Sequence, residues 1–287
     1  MKRSTSGWIY GFIGIVIFAG SLPATRVAVL DFNPMFLTTA RASIAGIAGT
    51  ILLLLLRQPR PQLSDIKSLV ITAIGVVVGF PLLTALALQY VTSAHSIVFL
   101  GLLPLCTAIF AVLRAGERPR PAFWLFAILG SSFVIGYTAI GKMEGSFEGN
   151  LFMLAAVVVC GLGYAEGGHL SRKLGGWQVI SWALLISLPI MLPLALFTRP
   201  ETFSHVTASG WIGFTYVSLF SMLIGFVFWY RGLAQGGIAA VGQLQLFQPF
   251  IGLAISAALL HETVSWQMIA MTLGAVVCVA GAKKYAN

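Results

Sequence analysis

The sequence predicts an all-α integral membrane fold: ten transmembrane helices, arranged as two inverted five-helix repeats, with both termini on the cytoplasmic side. Three observations predict it. The 287 residues are 58% hydrophobic and 9% charged, with a mean hydropathy of +0.94, far from the roughly 25% charged residues of a soluble domain. Of the 17 Lys and Arg residues, 13 fall on one side of the membrane when the N-terminus is cytoplasmic; Arg26, Lys142 and Arg199 fall outside and Arg41 lies within a span. That asymmetry is a positive-inside signal, and it requires an even number of spans. Finally, shifting the chain by 145 residues aligns its first five apolar stretches with its last five without a gap.

Ten stretches reach the roughly 20 apolar residues that a helix needs to cross hydrocarbon. They lie near 7–29, 33–56, 66–89, 93–113, 122–140, 150–171, 177–197, 208–231, 237–260 and 265–282. The first follows only Lys2 and Arg3, with no small-residue cleavage site after a short apolar core, and is expected to be retained. It carries Ser21 beside Pro23, an expected kink. The second contains "GTILLLLL" and the third "AIGVVVGF", continuous apolar runs rather than the alternation of a barrel strand. Phe80 adjoins Pro81, a further kink, in the third. Pro104 stands near the middle of the fourth, in "FLGLLPL", and the fifth closes the first repeat, 7–140.

The sixth span places Tyr164 and Glu166 within an apolar stretch. Glu166 either accepts a proton or a substrate ammonium group, or pairs with Arg172 or reaches the interface. The seventh and eighth are bordered by Trp177, Trp211 and Trp229, as an interfacial aromatic belt requires. In the ninth, "VGQLQLFQPF" sets Gln245 and Gln248 three residues apart on one helix face beside Pro249, which removes a backbone donor. Two uncharged amides at an interrupted helix are candidates for holding the polar end of a substrate. The tenth span completes the second repeat, 150–284. Under the 145-residue shift Pro104 and Glu117 fall on Pro249 and Glu262, each pair 13 residues apart. Glu117 and Glu262 are each expected to close a helix and to accept hydrogen bonds from the free N–H groups at the next helix start.

Several function classes are excluded. No Asp lies in any span, against an aspartyl intramembrane protease. His261 and Glu262 are followed by Thr263, Val264 and Ser265, so no HExxH zinc motif exists. No glycine-rich phosphate loop is present, and Cys106, Cys160 and Cys278 have no ligand spacing; no metal, cofactor or catalytic residue is expected. The net charge of +9 is a topology device, because no loop is long enough to form a nucleic-acid patch. An intramembrane enzyme using Glu166 and a nearby His is a remote alternative.

"AVLRAGERPRPAFWLFAILGSSFVIGYTA" and "AALLHETVSWQMIAMTLGAVVCVAGA" resemble the paired ends of EamA repeats in the drug/metabolite transporter superfamily. The length and two-repeat form resemble the YddG-type aromatic amino-acid exporters within it. The resemblance implies a secondary transporter or facilitator in the bacterial cytoplasmic (inner) membrane. It would export amino acids, aromatic ones foremost, and related small amphipathic metabolites by alternating access. The binding site would lie between the repeats, lined by spans 1, 3, 4, 6, 8 and 9, with Gln245, Gln248, Tyr164, Glu166, Ser21 and Phe80 as candidate contacts. Efflux of drug-like cations is the alternative, for which Glu166 and aromatic walls would serve. Apart from cargo and lipid bilayer no partner is expected, and a single-chain inverted repeat suits a monomer.

Overall fold

The computed structural model describes residues 5–91, 96, 99–139, 146–260 and 266–286, and every regular element among them is helical. In chain order these are α1 (Thr5–Asp31), α2 (Pro34–Leu55), α3 (Leu63–Tyr90), α4 (Leu103–Ala115), α5 (Pro121–Ala139), α6 (Phe147–Leu174), α7 (Gly176–Phe197), α8 (Ala208–Gly236), α9 (238–260) and α10 (Trp266–Tyr285). Among the described residues α1, α2, α3, α6, α7 and α8 are each long and apolar enough to cross a membrane, and α4 is a shorter apolar helix. Leu54, Leu55, Leu113, Ile190 and Leu196 are exposed on the outside of the bundle. Such an aliphatic surface is what lipid, not water, accommodates.

α1 lies along α8 and α3 along α6, while α2 pairs with α7 and α5 with α10. Glycine makes the first two pairings close. A Cβ on Gly7 would stand 2.8 Å from the Gly236 Cα, and one on Gly75 would stand 2.8 Å from the Gly163 Cα, so backbones meet where no side chain fits.

Four helices break their backbone ladder. α1 is interrupted at Gly20, three residues before the expected kink at Pro23. The physical reason is that Pro23 has no N–H for the carbonyl of Ala19, one turn back. The neighbouring carbonyls of Ile17 and Phe18 accept hydrogen bonds from the Tyr216 hydroxyl (2.6 Å) and the Gln248 amide (3.4 Å). α3 passes through a π-helical segment, Ala73–Gly79, immediately before Pro81, and α8 through another, Tyr216–Ile224. Shifted by 145, the first falls within the second. α9 narrows to a 3-10 turn, Gln243–Phe247, just before Pro249, and a turn at 101–102 likewise precedes Pro104 at the start of α4.

Glu117 does close α4, but the helix start it caps is not the next one. Gly116 ends α4 in the left-handed conformation, φ +65°, which glycine adopts freely. The Glu117 carboxylate then accepts from the N–H groups of Ile238 (2.9 Å) and Ala239 (2.8 Å) at the start of α9, and pairs with Arg172. The following helix, α5, begins with Pro121 and so has no N–H to offer there. Glu262, its counterpart under the shift, lies with His261 outside the described residues.

Replacing Glu117 by Ala strips two buried N–H groups and one guanidinium of their acceptor. It is expected to destabilise the protein by about 2–3 kcal/mol, with Glu117→Gln between it and wild type. Thermal unfolding in detergent measures this; an unchanged midpoint for the Ala variant would show that the clamp contributes nothing.

Candidate functional site

The helix interruptions converge on a cavity at the centre of the bundle. Its lining includes polar groups, Ser21 and Thr25 from α1, Arg41 from α2, Thr84 from α3, Ser221 from α8 and Gln248 from α9. It also includes the rings of Phe18, Phe80, Tyr164 and Phe226, with Leu22 and Val76 beside them. Val76 and Ser221 sit on the two π-helical segments. A π turn widens the helix by one residue and is a frequent means of aiming a side chain into a site. The unfilled space is about 30 Å³, room for about two waters. That volume is smaller than an amino acid.

Three of the polar lining residues form one connected chain. The Ser21 hydroxyl donates to Ser221 at 2.8 Å, and Ser221 accepts from the Arg41 guanidinium at 3.4 Å. Arg41 is 6% exposed, and its Nε has no hydrogen-bond partner. No acidic residue lines the cavity among the described residues.

The cavity is sealed toward the end of the bundle that carries Arg114, Arg172 and Lys173. First comes an aromatic layer: Phe18 meets Phe226 edge-on with ring centroids 4.9 Å apart, and Tyr164 stands 5.3 Å from Trp229. Tyr230 adds a hydroxyl bond to the Gly163 carbonyl, 3.1 Å. Beyond it lie three ion pairs, each joining α6 to the first half of the chain. Glu166, 3% exposed, receives Arg114 at 2.8 Å and the Ser68 hydroxyl at 2.6 Å. Arg172 pairs with Glu117, and Lys173 binds Asp65 at 2.7 Å. At the opposite end, Asp31 at the close of α1 accepts from the N–H (2.9 Å) and hydroxyl (2.6 Å) of Thr207, the residue that caps α8.

Of the residues singled out in the sequence, Ser21, Phe80, Tyr164, Gln248 and Pro81 line this cavity. Gln245 does not; its amide donates to Thr107 on α4 (3.2 Å) and to the Gly242 carbonyl (3.0 Å). It sits within the 3-10 turn, whereas Gln248 begins the α-helical turn, so the shared face of a regular helix is lost between them. Glu166 lies in the ion-pair layer, and its basic partner is Arg114 rather than Arg172. Pro23, Pro104 and Pro249 flank interruptions without lining the space. Among the described residues α4 contributes no lining residue, and α2 contributes Arg41. Ser221 was not singled out in the sequence, whereas Arg41 was marked there as the one basic residue within a span.

A helical bundle with interrupted helices around a cavity lined by polar and aromatic groups, with ion pairs across one end, is the architecture of a membrane transport protein. The chain belongs to the EamA-like transporter family, which matches it twice, over residues 5–138 and 147–282. It is a multi-pass membrane protein of that family, and its similarity is to transporters. It is 60% identical over all 287 residues of both chains to the "Uncharacterized transporter YdeK" of Bacillus subtilis (strain 168). It is 23% identical over 91% of its length, and 88% of the relative's, to a "Probable terminal-alkyne amino-acid exporter" of Streptantibioticus cattleyicolor. A solved crystal structure at 20% identity shares the fold, with a TM-score of 0.79 over 98% of this chain and 99% of that one.

Exchanging Glu166 for Gln removes one charge and keeps an acceptor for Ser68. If the pair holds α4 against α6, the fully buried Cys160 becomes more reactive toward a membrane-permeant maleimide. About tenfold faster labelling is expected for the loss of ~1.4 kcal/mol. An unchanged rate would mean that the pair does not hold this end shut.

Proposed function

We propose that this protein is a secondary transporter or facilitator that exports amino acids, aromatic ones included, and related small amphipathic metabolites across the bacterial cytoplasmic membrane. It works as a monomer, by alternating access between two inverted five-helix repeats, 7–140 and 150–284. The observation that carries the reading is the cavity: both halves line it, and its lining combines polar groups with aromatic rings. A cargo with one polar and one apolar end finds partners for both there.

The repeat reading is supported by the exchanged pairing of helices, α1 with α8 and α3 with α6, and by π-helical segments at equivalent positions of α3 and α8. Inverted repeats of this kind give two arrangements of similar energy, open to opposite sides. With the basic end cytoplasmic, the inward route opens when α6 releases Arg114, Glu117 and Asp65. All three links join one repeat to the other. In that motion the aromatic layer of Phe18, Tyr164, Phe226 and Trp229 parts with them. The amino-acid assignment also draws on the distant exporter relative. Efflux of cations fits the cavity less well, because its one charge is that of Arg41 and Glu166 is occupied by Arg114.

Reconstitution into liposomes tests the proposal. Saturable, counterflow-competent flux of aromatic amino acids is expected, repeated at a series of imposed pH gradients to reveal any proton coupling. Absence of saturable flux for every amino acid tried would remove the substrate assignment.

A further inference from the structure

We propose that Arg41 is the anchor for a carboxylate on the cargo, so that the cavity selects its substrates by an anionic end. The proposal rests on the transport reading above and adds to it the chemical group that is recognised. α2 begins at Pro34, and Arg41 follows two turns later, about 10 Å along the axis at 1.5 Å per residue. A guanidinium at that depth within an apolar span costs several kcal/mol unless it meets water, a counter-charge or a cavity. Here it meets the cavity.

Each acidic side chain that could neutralise it among the described residues is elsewhere. Asp65, Glu117 and Glu166 are paired with Lys173, Arg172 and Arg114 near the basic end. Asp31 is held by Thr207 at the opposite end. Glu148 lies in the first turn of α6, and Glu201 follows the end of α7, so both are at helix ends as well. Arg41 itself reaches only the Ser221 hydroxyl, at the limit of hydrogen-bonding distance, and leaves Nε unpaired in a buried setting. A guanidinium carries five donors in a planar fork that matches a carboxylate. The surrounding groups suit that ligand too, because Ser21, Thr84 and Ser221 line the same cavity as Arg41. The rings of Phe18, Phe80, Tyr164 and Phe226 in that lining accommodate the apolar remainder. A cationic cargo without an acid group would be repelled by the one charge in the site.

The test compares three ligands that share a phenyl-ethyl body: phenylalanine, 3-phenylpropanoate and phenethylamine. Binding to the purified protein in detergent is followed by ligand-induced thermal stabilisation and by tryptophan fluorescence. Phenylalanine and 3-phenylpropanoate are expected to bind, and phenethylamine is not. Arg41→Gln is expected to weaken binding of the two acids by roughly thirty-fold or more, with Arg41→Lys in between. The proposal is overturned if the amine binds as well as the acids, if Arg41→Gln binds the acids like wild type, or if none of the three binds. Because the wild-type series alone decides the preference for an acid, a variant that failed to fold would not rescue the idea. Binding of the acids without liposome flux would overturn transport of these compounds while leaving the anchor standing; flux of the amine would do the reverse.

Discussion

Inside hydrocarbon every backbone N–H and C=O must find its partner within the protein, and the architecture of this chain follows from that constraint. Regular helices meet it automatically, so a helix can be interrupted only where other protein groups take up the freed valences. The interruptions in α1, α3, α8 and α9 all lie at the bundle interior. Tyr216 and Gln248 bind carbonyls beside the break in α1, and the π-helical segments restore bonds with a one-residue shift. What results is irregular backbone and polar side chains gathered at one place. Gln248, one of the two groups that bind carbonyls beside the break in α1, also faces the cavity.

The charges obey a related logic. Removing an ion from water is costly, and pairing returns the cost only with good geometry. Glu166 has it: two contacts from Arg114 and one from Ser68. Glu117 uses both oxygens on the positive end of α9 as well as on Arg172, combining an ion pair with helix capping. These arrangements stabilise one closed form, and their exposed partners keep access to water. Separation therefore exchanges one solvated arrangement for another rather than stranding a bare charge. Half-exposed pairs such as these separate at modest cost, whereas a fully buried set would not.

Much of this was legible from composition and spacing. Continuous apolar runs give helices, and the lysine and arginine distribution gives an orientation. Ser21, Phe80, Tyr164 and Gln248 could be singled out because proline or polarity marks them within apolar stretches. The partners of Glu166 and Glu117 could not be read. Arg114 is 52 residues from Glu166 and Ile238 is 121 from Glu117, so their meeting is decided by how helices from different halves pack. The π segments were equally hidden: "AIGVVVGF" and "YVSLFSMLI" read as ordinary apolar helix, and the insertion of one residue per turn leaves no compositional mark. Gln245 failed to join Gln248 for a local reason of the same kind, a change of helical pitch between them.

The polar and aromatic lining groups differ in what they would ask of a cargo, and under the proposed mechanism this bears on how recognition and gating connect. The polar groups come from α1, α2, α3, α8 and α9. Among the aromatic ones is Tyr164 from α6, the helix that carries a partner in each of the three ion pairs at the basic end. Tyr164 and Glu166 are two residues apart on that helix. A cargo that fills the space beside Tyr164 and pushes it from Phe18 and Trp229 would displace the segment that presents Glu166 to Arg114. Ligand binding can bias an equilibrium only by interacting differently with its two states. The contracted site supplies that difference directly, since a cargo too large for about 30 Å³ is compatible only with arrangements in which the helices around it have moved apart.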